Sequence, residues 1–144
     1  MSAESEAFVA QKTLAVVGVS RTRGFGNSLY RHLKRKGYRV FPVNSQTDTV
    51  EGERCFRRLD DLPEKVDGVV AVVPPAQTKN VVEDCARLGI EHVWMQQGSE
   101  SDEAVALCRA KGIAEVHGAC LLMHTGGGFP HSLHRWIWRR LGKY

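Results

Sequence analysis

The stretch "LAVVGVSRTRGFGNSLYRHL", residues 14–33, decides how this chain is read. Small and β-branched residues run to Gly18, a loop rich in glycine and arginine follows, and a helical pattern then begins. The run "TLAVVGV" (13–19) shows no alternation, as expected of a strand buried on both faces. After the loop, Leu29, Tyr30 and Leu33 share one helical face, with Arg31, Lys34, Arg35 and Lys36 outside it and Gly37 as the stop. A strand, a glycine loop and a helix in this order bring backbone N–H groups and the positive end of a helix dipole to one place, where a phosphate can sit.

The rest of the chain repeats the alternation. "YRVFPV" (38–43) reads as a second strand, and "VDGVVAVV" (66–73) as a third, halted by Pro74 and Pro75. "EHVWMQ" (91–96) is a fourth strand and "IAEV" (113–116) a short fifth. Between them, one helix turns Val81, Val82, Cys85 and Leu88 inward and ends at Gly89. Another starts at Ser99 with Asp102 in a capping-box-like pair, buries Ala104, Val105 and Cys108, and ends at Gly112. Buried strands joined by helices imply right-handed crossovers and an α/β fold, a three-layer Rossmann-like doubly wound parallel sheet of about five strands. The expected strand order is 3-2-1-4-5. The link 44–65 is polar and irregular, with a short helix expected only near "LDDLPEKV". The segment 129–144 reads as a last helix that turns Leu133, Trp136, Ile137 and Leu141 inward and could join two copies of the chain. By length, residues 1–144 form one domain, with its core at 12–123 and a helical extension at 129–144.

With 42% hydrophobic and 25% charged residues, the composition is that of an ordinary soluble globular domain. The net charge of +4 suits an anionic small molecule, whereas no basic stripe interleaved with aromatics points to nucleic acid. No apolar run reaches the ~18 residues of a membrane span. The start "MSAESEAFVA" has no export signal, so a cytoplasmic protein away from membranes is expected. Cys55, Cys85, Cys108 and Cys120 are widely spaced, as reduced thiols would be. His117, Cys120, His124, His131 and His134 lack zinc-site spacing, so no metal is assigned.

In a doubly wound sheet the ligand lies outside the carboxyl ends of the strands, here 18–26, 43–46, 73–77 and 95–99. A dinucleotide fingerprint counted from Gly18 needs glycines at 20 and 23, where Ser20 and Arg23 stand. The acid that would end the second strand and hold a ribose is replaced by Asn44. A Gly-Lys-Ser/Thr phosphate loop is absent. What remains is Gly18-x-Ser20-Arg21-x-Arg23-Gly24-x-Gly26. It offers a hydroxyl and two forked guanidinium groups to phosphate oxygens, or is a tight βα turn with solvated arginines. Ser20 has no histidine near it in sequence, so no self-contained catalysis is expected.

The pieces "VVGVSR", "KGYRVFPVN", "EGERCFRRLDDLP", "VDGVVAVVPP", "VWMQQG" and "HGACL", in this order, resemble the stand-alone CoA-binding domain family. That family is similar to the N-terminal domain of the succinyl-CoA synthetase α subunit. The resemblance covers about residues 12–123 and implies coenzyme A or an acyl-CoA as ligand. It implies that Ser20, Arg21, Thr22 and Arg23, with Gly18 and Gly24, line the phosphates. Asn44, Ser45 and Gln46 would lie beside the nucleotide, Val73 and Pro74 would flank adenine, and Met95, Gln96 and Gln97 would border the pantetheine path. Where many relatives carry Asn-Pro and a basic residue, this chain has Asn44-Ser45-Gln46 and lacks the cation. Besides CoA binding, two readings stay open: an NAD(P)-dependent or acyl-transfer enzyme, and a regulatory module that has lost its ligand.

Overall fold

A computed structural model describes residues 3–22 and 24–125. Along the chain come α1 (Ala3–Val9), β1 (Thr13–Val17), α2 (Phe25–Arg35) and β2 (Arg39–Val43). A small hairpin of β3 (Thr49–Val50) and β4 (Glu53–Arg54) follows, then a 3-10 helix (Leu59–Asp61). Next are β5 (Gly68–Ala71), α3 (Pro75–Leu88), β6 (His92–Gln96), α4 (Asp102–Ala110), β7 (Ala114–Ala119) and α5 (Leu121–Thr125).

β1, β2, β5, β6 and β7 form one parallel sheet in the order β2-β1-β5-β6-β7. The fold is the expected Rossmann-like α/β sheet with helices on both faces. Successive residues of a strand point to opposite faces. Ala15, Val69, Ala71, Val93 and Met95 therefore pack under Val82 and Cys85 of α3 and Ala104 and Cys108 of α4. Leu14, Val16, Val70 and Trp94 face the other way, onto Phe8 of α1, Leu29 and Leu33 of α2, and Leu121 of α5.

The strand order differs from expectation. Counted among the five sheet strands it is 2-1-3-4-5, not 3-2-1-4-5. The expected order would flank the second strand on both sides, but Pro42 lies in it and has no N–H to donate. β2 is accordingly outermost among the five. β5 is buried at all four positions and takes the central place beside β1. The ligand edge therefore lies where the order reverses, between β1 and β5.

Smaller differences have local causes. Pro74 and Pro75 not only halt a strand but open α3, because a proline at the first helical position gives up an N–H that has no helical partner anyway. The cap of α4 is Ser101, whose hydroxyl accepts from Ala104 N at 3.1 Å, and not Ser99. Ser99 is buried, and its carbonyl accepts from the Thr78 hydroxyl of α3. The acidic start of the chain hides α1, which docks through Phe8 edge-on to Trp94 at 5.5 Å. Arg23 and the expected last helix at 129–144, with its proposed dimer face, lie outside the described residues. Among the described residues, no helix is long and apolar enough to cross a membrane.

Candidate functional site

The site begins where the chain leaves β1. Gly18 has φ 122°, and a Cβ there would stand 2.0 Å from the Val72 carbonyl oxygen at the end of β5. In the first turn of α2, a Cβ on Gly26 would meet the Gly18 carbonyl oxygen at 2.5 Å. Two bare backbones thus seat the start of α2 on the β1 turn, where the unpaired N–H groups of a helix's first turn concentrate. Asn27, fully buried in that turn, fixes the loop by accepting from Ser20 N at 2.6 Å and donating to Ser20 O at 2.9 Å. Thr22 N donates to the Ser20 hydroxyl at 3.3 Å. Arg21 and Thr22 are exposed, and Arg21 makes no ion pair among the described residues.

The hairpin supports this loop from outside. Glu51, at its tip, accepts from Asn27 Nδ2 at 3.0 Å and from Arg31 at 2.6 Å. These two hydrogen bonds, Asn27's first, hold its carboxyl below the usual range.

Asn44 follows β2 and knits the next wall. Its amide donates to the Val19 carbonyl at 2.6 Å, and its side-chain oxygen accepts from Gln46 N at 2.6 Å, closing an Asx turn. Outside β2, Phe56 makes a single parallel bridge to Val43. Phe56 N donates to Pro42 O at 3.0 Å, and Asn44 N donates to Phe56 O at 2.9 Å. The bridge sets Arg57 and Arg58 beside the Asn44 turn. Arg57 is held by Asp48 at 2.8 Å and by the Ser45 carbonyl at 3.3 Å.

Between these walls and α3 lies a cleft of about 610 Å³. Val17, Gly18, Val43 and Val73 line its base, and Asn44, Ser45 and Gln46 with Arg57 and Arg58 line one side. Gln77, Asn80 and Asp84 of α3 line the other. Asp84 is paired to Arg87 at 2.8 Å, and Arg87 also grips Asp60 with two bonds of 2.6 and 3.1 Å. Arg87 thereby lowers the Asp60 pKa, as Arg57 lowers that of Asp48.

Of the residues singled out in the sequence, Gly18, Asn44, Ser45, Gln46 and Val73 come together in the cleft. Ser20, Arg21, Thr22 and Gly24 continue the loop from Gly18, and Pro74 is exposed at the head of α3. Met95 is fully buried in the core. Gln96 is buried too, its side-chain oxygen accepting from Leu121 N at 3.1 Å, whereas Gln97 is exposed. Gln77 falls within the expected stretch 73–77, whereas Arg57, Arg58, Asn80 and Asp84 lie outside every stretch expected at the ligand edge. The adjacent arginines in "CFRRL" were the available signal, and only the bridge at Phe56 gives them a place. Among the described residues, no three His, Cys, Asp or Glu side chains converge to hold a metal.

A family model described as a CoA binding domain matches residues 12–126. The chain is 32% identical over 135 residues to the ADP-forming acetate–CoA ligase II of Archaeoglobus fulgidus, covering 84% of this chain and 20% of that protein. It is 26% identical to the uncharacterized protein YneT of Bacillus subtilis, covering 76% of this chain and 82% of the other. The structure of a conserved hypothetical protein from Pyrococcus furiosus matches with a TM-score of 0.73 at 34% identity, covering 77% of this chain and 97% of the other. The chain spans only 12–20% of the length of the first acetate–CoA ligases it matches. The matched segment runs from just before β1 past the end of α5 and holds the glycine loop and both walls of the cleft. The chain belongs to the CoA binding domain family.

Proposed function

We propose that this chain is a cytoplasmic protein that binds coenzyme A or an acyl-CoA along the carboxyl edge of its sheet and catalyses no reaction of its own. The observation that carries this reading is the loop fixed by Gly18, Gly26 and Asn27, opening into a cleft that ends in two arginines. The family match and the acetate–CoA ligase relatives support its CoA-binding part. The phosphates would lie against the loop from Gly18 through Ser20, Arg21, Thr22, Arg23 and Gly24. The ribose would lie beside Asn44, Ser45 and Gln46, and adenine against Val73 and Pro74. Gln97, whose neighbours Met95 and Gln96 are buried, would border the pantetheine arm.

NAD is disfavoured at the end of β2. The position of the ribose-binding acid is Asn44, whose side chain is already bonded to Val19 O and Gln46 N. Catalysis is disfavoured because the Ser20 hydroxyl, among the described residues, is bonded only by Thr22 N.

Thermal unfolding with CoA, acetyl-CoA and NAD tests the reading. A ligand at a hundredfold excess over its Kd adds about 2.7 kcal/mol, and each kcal/mol raises Tm by about 2–4 °C at this size. CoA should raise Tm and NAD should not. A shift with NAD alone would return the chain to the dinucleotide binders, and a shift with neither would favour a module without a ligand.

A further inference from the structure

We infer that Arg58, with Arg57 beside it, seats the phosphomonoester on the ligand's ribose, so that the cleft separates CoA from dephospho-CoA. The inference rests on the CoA reading above and assigns one end of that ligand.

The first support is position. Along the carboxyl edge, the chain presents Val73 after β5, Gly18 after β1, Asn44 after β2, and then Arg57 and Arg58 after the Phe56 bridge. A nucleotide whose diphosphate sits on the loop after the first strand brings its ribose to the end of the second strand. A phosphate on that ribose then faces the next position outward, where the two arginines lie.

The second support is charge. Arg58 is 64% exposed and touches Asp60 only at 3.6 Å. Asp60 is already gripped twice by Arg87, so the charge of Arg58 is only partly answered. Arg57 is pinned by Asp48 and Ser45, which fixes where its guanidinium stands. Among the described residues, the one carboxylate lining the cleft is Asp84, which is paired with Arg87, and Gln46, Gln77 and Asn80 are neutral. This end of the cleft is therefore cationic, and forked guanidinium groups match phosphate oxygens.

Calorimetric titration of the full chain with CoA and dephospho-CoA tests this. The wild type should bind CoA about tenfold or more tightly than dephospho-CoA, and Arg58→Ala should narrow that preference to within about threefold, with the larger loss on CoA. Among the described residues the Arg58 side chain has only its long ion pair with Asp60, so the variant should keep the wild-type Tm. Arg39→Ala removes an exposed arginine at the far end of β2 and should keep the wild-type preference. Equal binding of CoA and dephospho-CoA by the wild type, or an undiminished preference in Arg58→Ala, overturns the inference and leaves CoA binding standing. A parallel pair, NADP against NAD, separates the two ideas. Arg58-dependent preference for NADP without CoA binding would keep the ribose-phosphate seat and overturn the CoA reading. Binding of none of the four overturns both.

Discussion

Asn27 and Ser20 bond each other twice, side chain to backbone, as two residues of neighbouring strands would. The remaining Asn27 donor goes to Glu51, so one fully buried amide ties the loop, the helix and the hairpin together. Asn27→Ala leaves Ser20 N and O and the Glu51 carboxylate without that partner. The expected loss is about 2–4 kcal/mol, seen as a lower urea midpoint at unchanged slope. An unchanged midpoint would mean that the loop holds itself.

Gly18 and Gly26 should tolerate no side chain, because each Cβ would collide with backbone rather than with a movable group. Gly18→Ala and Gly26→Ala should each cost about 3 kcal/mol or more, or prevent folding. Gly24 is the contrast. Its backbone is extended, and the nearest atom to an added Cβ is 3.8 Å away, so Gly24→Ala should stay within about 0.5 kcal/mol of wild type. Melting of the three variants side by side checks the distinction.

His124 sets a pH dependence. It is buried, lies edge-on to Trp94 at 5.1 Å, and its Nδ1–H donates to the Cys120 carbonyl at 3.1 Å. Burial pushes its pKa below the ordinary histidine value, and the Cys120 bond offsets part of this. The unfolded chain thus takes up the proton first, at about pH 6.5. The contribution of His124 is complete above that value and is lost as pH falls through the lower folded value. Glu51, Asp48 and Asp60, all shifted down, contribute above the ordinary carboxylate range and lose that contribution only in stronger acid. Tm should therefore fall between pH 7.5 and 5.5 in the wild type and fall less in His124→Gln.

The thiols should react in two classes. Cys120 is half-buried, while Cys55, Cys85 and Cys108 are buried. Burial pushes the Cys55 thiol up and the Cys85 thiol further, with Cys108 adding to the latter. Burial, with Glu115 adding, pushes Cys108 up to about 12. A thiol reagent at pH 8 should label one cysteine rapidly in the native protein and all four in denaturant. Rapid labelling of Cys85 or Cys108 would show that α3 and α4 open locally.

The alternation of buried strands and amphipathic helices was legible because period and glycine stops are local signals, as at Val81, Val82, Cys85 and Gly89. Strand order was not, since it depends on whether the third strand pairs with β2 or with β1, and Pro42 is the clue that decides it. The hairpin has two residues per strand and turns through Glu51-Gly52, too short for any period to appear. α1 shows only Phe8 and Val9 as apolar inward residues of any size. In the site, Gly18 and Gly26 declare a close approach of backbones. Arg57 and Arg58 take their place from a pairing between residues 43 and 56, which no local pattern encodes.

The Phe56 rung has a kinetic meaning as well. It is the outermost and least paired backbone of the sheet, held to β2 by only two ladder bonds. Such a rung opens more readily than the strands inside it. A molecule stretched from the Gly18 loop to the arginines would fasten this hinge-like margin to the turn after β1, slowing amide exchange at Asn44 and Phe56 far more than at Val70 of the central strand β5. The protein would then register its ligand chiefly as a quieting of one border, with its interior unmoved.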